Sequence, residues 1–183
     1  MHVAIAAVET GSIAQGAVVG DAMVKTAEVE ILEASVLSPG RYWVVIGGGV
    51  AEVRAAHARG VEVAADTLLD QLLIPQVHPM VLAAARGTVP RGDGDDALGV
   101  IETLTASSAI VAADFAAKAA RVTLRDLRLA NGIGGKGVLY LTGEVGEVEA
   151  AVAAGREEAQ RRGLLARAVV IPRLHAQMKE RIR

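Results

Sequence analysis

A run near the start of the chain, Ala4-Ile5-Ala6-Ala7-Val8-Glu9-Thr10, returns in the second half as Ala97-Leu98-Gly99-Val100-Ile101-Glu102-Thr103. The match continues in step, pairing Asp21 with Asp114, Lys25 with Lys118, Ala27 with Ala120 and Val29 with Val122. It resumes beyond a glycine-rich loop, where Ala55-Ala56 meets Ala150-Ala151 and Gly60 meets Gly155. It closes on Ile74-Pro75-Gln76-Val77-His78 against Ile171-Pro172-Arg173-Leu174-His175. The register shifts only in the central loop and after the second helix, where the second copy is slightly longer. A repeat of this length is a domain, not a solenoid unit. The 183 residues therefore divide into two domains of about ninety residues each. We place the first at 1–85 and the second at 97–183. The Gly-, Pro- and charge-rich stretch Arg86 to Asp96 is the expected linker.

Each copy reads β-α-β-β-α-β. Val3 to Val8 is a short apolar run ending at turn residues, hence a strand. Ser12-Ile13-Ala14-Gln15 fits a capping box, with Gln15 reaching back to the cap, and the helix it opens runs to about Ala27. Val29 to Leu37 alternates as a half-buried strand, and Ser38-Pro39-Gly40 turns the chain into a strand over Tyr42 to Ile46. Gly47-Gly48-Gly49 breaks that strand, a helix follows from Val50 to about Ala65, and Leu72 to Ile74 forms a last short strand. Two helices on one face of a four-stranded antiparallel sheet is the ferredoxin-like architecture, here twice in tandem and in unpermuted order. The other sheet face and the edges are expected to remain available for assembly.

Composition narrows the function. Apolar residues reach 52% while aromatics are only 2%, an excess of small aliphatic side chains that suggests burial between subunits. The net charge of −2 comes from interspersed residues, which argues against a nucleic-acid binder. The absence of cysteine excludes disulfides, thiolate zinc sites and a cysteine nucleophile. The first residues, Met1 to Glu9, lack a basic segment and carry an acid, unlike a signal peptide, and no apolar run is long enough to span a membrane. A soluble cytoplasmic protein is expected.

Several stretches together resemble the bacterial microcompartment shell proteins of the tandem-domain, trimer-forming class. They are Val8-Glu9-Thr10, Gly20 to Ala27 with Val29 following, Val100-Ile101-Glu102-Thr103, Gly132-Ile133-Gly134-Gly135-Lys136 and Ile171-Pro172-Arg173-Leu174-His175. The resemblance implies a flat pseudohexagonal homotrimer tiling with hexameric and pentameric shell proteins around encapsulated enzymes. It implies a central pore for small metabolites, lined by Ser38, Pro39 and Gly40 of the first copy and Asn131, Gly132, Ile133, Gly134 and Gly135 of the second. It also implies tile-edge contacts through Lys25, Lys118 and Arg173, the last facing Gln76 as its repeat counterpart. Cluster-bearing propanediol-utilisation relatives carry a cysteine where this chain has Ser38. A serine hydroxyl is a poor iron ligand, so no iron–sulfur cluster, and no other cofactor, is expected.

The remaining candidates read as structural. Glu9 and Glu102 precede the first helix of each copy, and a dipole or capping role fits them better than acid–base chemistry. His78 and His175 occupy matching positions without clustered ligands, so structural or edge-packing roles are expected, and His57 beside Arg54 reads as solvated. The loop Gly132 to Gly135 precedes a strand, not a helix, so it lacks a helix N-terminus and is no dinucleotide fingerprint. Arg41 and Lys136 flank the two central loops, which favours anions in a pore. No set of catalytic groups recurs, so no enzyme and no metal site is expected. The alternative reading is a trimeric ferredoxin-like ligand-binding or signalling protein, which would form discrete trimers that do not tile.

Overall fold

Alternating small aliphatic residues let the first strand bury both faces, and the first sheet is built around it. The computed structural model describes residues 4–89 and 96–179. In the first repeat, β1 (Ala4–Thr10) leads to α1 (Ile13–Thr26), β2 (Glu30–Leu37), β3 (Arg41–Gly48), α2 (Val50–Ala64), a 3-10 turn over Ala65–Thr67 and β4 (Leu68–Ile74). The helix α3 (Pro79–Ala85) follows. The second repeat gives β5 (Ala97–Thr103), α4 (Ala106–Ala119), β6 (Thr123–Leu129), β7 (Gly137–Gly143), α5 (Val145–Arg161), β8 (Leu165–Pro172) and α6 (Ala176–Lys179). The two antiparallel sheets have the same order, β2-β3-β1-β4 and β6-β7-β5-β8, so the expected tandem, unpermuted βαββαβ fold is present.

The first core lies between β1, β3 and the two helices. Ala4, Ala6 and Val8 of β1 and Val44 and Ile46 of β3 face Val19 and Met23 of α1 and Val53 and Ala56 of α2. Glycine sets how closely the helices cross. A Cβ on Gly60 would sit 2.8 Å from the Met23 thioether, and one on Gly155 would sit 2.8 Å from the backbone oxygen of Ala112. Two compact units result. One holds the chain up to Val77 together with Ala130–Gly135, and the other holds His78–Leu129 and the chain from Lys136 onward.

Several local expectations change. Ser12 caps α1 by accepting from the Gln15 N–H at 3.3 Å, but the Gln15 side chain donates to the Val63 oxygen at 2.6 Å instead of returning to the cap. The strand β2 is mostly exposed, not half-buried, because it is a sheet edge whose register shifts between Ile31 and Glu33. Gly47 and Gly48 stay within β3, paired to Ile5 and Ala4, and β4 begins at Leu68, four residues earlier than its apolar end suggests. The sheet face opposite the helices is not open at its centre, since Ile5, Ala7, Trp43 and Val45 are buried there. In the expected linker, Arg86 to Val89 forms a turn and an irregular segment, while 90–95 lie outside the described residues.

Candidate functional site

The two central loops belong to one compact unit. Ser38, Pro39 and Gly40 form an exposed turn between β2 and β3, with a cis Ser38–Pro39 bond and a positive φ of 68° at Gly40. The second loop folds on the Ala130 carbonyl, which accepts from the N–H groups of Ile133 and Gly135 at 3.3 and 3.2 Å. Gly135 has φ 80°, and a Cβ there would lie 2.9 Å from the Ser38 oxygen and 3.0 Å from the Arg41 guanidinium carbon. Backbone geometry and space both require glycine at this position. The Arg41 guanidinium also donates to the Gly135 oxygen at 3.3 Å, which ties the loops together.

Arg41 and Lys136 do not stand as free cations beside these loops. Arg41 Nη1 donates to Glu9 Oε1 at 3.0 Å, and Lys136 Nζ donates to Glu102 Oε1 at 2.8 Å. The glutamates read as helix caps are thus the carboxylate halves of one ion pair built twice. The strand pairing explains it: Glu9 lies opposite Trp43, so Arg41 falls two residues along on the same sheet face. Each pair is neutral, and the charge argument for an anion-selecting loop loses its basis.

The edge candidates occupy different surroundings. Lys25 pairs with Asp21 at 2.6 Å on an exposed turn of α1. Lys118 pairs with Asp114 at 2.5 Å, but Asp114 is buried and also accepts from the His78 backbone N–H at 2.8 Å. Arg173 is exposed, at φ 52°, and its N–H donates to the Asp96 oxygen.

The histidines resolve into two kinds. His78 and His175 are helix caps: each Nδ1 accepts from the backbone N–H two residues on, at 3.3 Å to Met80 and 3.3 Å to Gln177. His57 is half-buried rather than solvated. Its Nε2 is buried with no hydrogen-bond partner among the described residues, and burial lowers its pKa below the ordinary 6.5. Helix α3 is an addition to the expected βαββαβ elements, and Pro79 directly after a capping residue is its helix-start signal.

An iron–sulfur cluster does not fit these residues. The loop position offers the Ser38 hydroxyl and the whole chain has no thiol, while iron in such clusters is held by thiolates. Among the described residues no group of three or more His, Cys, Asp or Glu side chains converges as a metal site. None of the described helices is long and apolar enough to cross a membrane.

Comparison with known proteins places this geometry. The BMC domain matches residues 4–77 and again 97–174. The chain is 41% identical over 178 residues to the bacterial microcompartment shell protein PduT of Citrobacter freundii, covering 97% of this chain and 96% of that one. A solved microcompartment protein from Desulfitobacterium hafniense DCB is 45% identical, with a TM-score of 0.85 over 98% of this chain and 99% of its own. A fused permuted hexameric shell protein from the RMM microcompartment is 24% identical, with a TM-score of 0.62 over 85% of this chain and 81% of its own, a likeness of fold alone.

Proposed function

The chain belongs to the BMC-domain family of bacterial microcompartment shell proteins, and from that premise we propose that three copies form a pseudohexameric disc with a central pore. Its role is structural and not catalytic. The disc tiles with hexameric and pentameric shell proteins in the cytoplasm, around encapsulated enzymes, and small metabolites cross at its centre.

One observation carries this reading. The central loops of the two repeats lie against each other in one compact unit, with Gly135 close to the Ser38 oxygen. A threefold axis beside that pair would gather six loops from three chains, and closed symmetry of some order is the rule for homo-oligomers. Loops without side-chain bulk at Gly40, Gly132 and Gly134 suit close approach around an axis. The pore carries no iron–sulfur cluster in this reading, because Ser38 stands where a thiolate is needed. Lys25, Lys118 and Arg173 are proposed to meet neighbouring tiles.

Light scattering should return the mass of three chains. Electron microscopy of concentrated protein, alone and with a hexameric shell partner, should return flat sheets. Discrete trimers that never tile and bind a ligand saturably would move the protein to the ligand-binding reading.

A further inference from the structure

The internal repeat makes one contact that its own symmetry leaves incomplete. In the second unit, α3 packs against α4 and β6. Its anchor is the His78 N–H on Asp114, and Val81 of α3 and Leu124 and Leu127 of β6 are buried. By the repeat, α6 is the counterpart of α3, and α1 with β2 is the counterpart of α4 with β6. Both counterparts are exposed. Met178 is 48% exposed where Val81 is 1%, and Ile31 is 43% exposed where Leu124 is 0%. The Asp21 side chain is 59% exposed where that of Asp114 is 4%.

The exposed segment is already shaped like its docked twin, since His175 caps α6 with the same Nδ1 bond that His78 makes in α3. The segment carries Arg173 and Lys179 where the internal version has Gln76 and Leu82, and the exposed face carries the Asp21 carboxylate, so a basic segment meets the anchoring acid.

We propose that α6 of one copy docks on the α1–β2 face of the next copy, with Asp21 accepting from the His175 N–H as Asp114 accepts from His78. The interface is head-to-tail. It uses two different surfaces of the chain, so it closes a ring when its rotation returns to the start. It deepens the proposed disc by naming the contact between its copies.

The lack of native cysteine makes a clean test. Ile31→Cys and Met178→Cys are made separately, expressed alone and together, and treated with a short bis-maleimide. Head-to-tail docking gives a covalent band of two chains from the co-expressed pair and none from either variant alone. The variant carrying both substitutions gives covalent rings. A band from either single variant would mean a self-paired interface and overturn the proposal. Absence of any band while wild-type light scattering still reports three chains would overturn the contact and leave the disc standing. A wild-type chain that stays monomeric at every concentration would remove the disc reading itself.

Discussion

The first helix of each repeat has nearly the same local grammar and a different fate. Both α1 and α4 begin after a hydroxyl cap, end in a lysine turn and carry an aspartate four residues before that lysine. Yet α4 is buried almost all round, while α1 buries only Gly16, Val19, Gly20 and Met23. The difference lies in what packs on them. Helix α3 packs on α4, whereas Ile13, Val18 and Val24 of α1 stay exposed. Duplication therefore preserves the fold while the neighbourhood decides what a repeated residue contributes. The same contrast runs through the ion pairs, where Glu9 is fully buried and Glu102 is a third exposed.

The sharpest way to break this contrast is at those pairs. Arg41→Met strands the buried Glu9 carboxylate and should cost about 3 kcal/mol, low in the range for such a loss because Arg41 is itself partly exposed and Glu9 keeps other contacts. Lys136→Met leaves a carboxylate that water can reach and should cost less than about 1 kcal/mol. Urea unfolding midpoints read both, and equal losses would mean that burial does not separate the repeats.

A smaller gap is expected at the aspartates. Asp114→Ala removes the acceptor of both His78 N–H and Lys118 and should cost about 1–3 kcal/mol. Asp21→Ala removes an exposed i,i+4 pair worth about 0.3–0.5 kcal/mol within the chain. Thermal unfolding of dilute protein checks the pair, and a large Asp21 effect there would show that its environment is not the open one described.

The smallest effect should be at His57, whose repeat counterpart is Val152. Burial lowers its folded pKa below the unfolded value of 6.5, so the unfolded chain binds the proton more readily. The contribution of His57 is thus full above that value and declines as pH falls from 6.5 toward the lowered folded value. His57→Val should flatten the stability profile in that window and leave it unchanged above. An identical acid slope in both proteins would assign the loss to other groups.

Much of this was legible in the residues. The duplication, the strand and helix order and the Ser12 cap follow from periodicity, turn residues and side-chain donors, which act over a few positions. The shared Glu9 and Glu102 were visible as repeated carboxylates, but their partners were not, because Arg41 and Lys136 are distant in sequence and meet them only through strand register. His57 read as a solvated helix residue because its helix position alone does not show that its Nε2 is buried.

What the sequence determined by itself was the duplicated unit, its element order and the absence of any thiol ligand. These depend on local backbone preferences and on which atoms the chain possesses. Only the tertiary structure decided that one repeat's helix is covered and the other's is open, that the two central loops touch at Gly135, and that the flanking cations are neutralised. Those outcomes are set by packing and strand register between distant segments, and identical local sequence carries no information about which neighbour arrives.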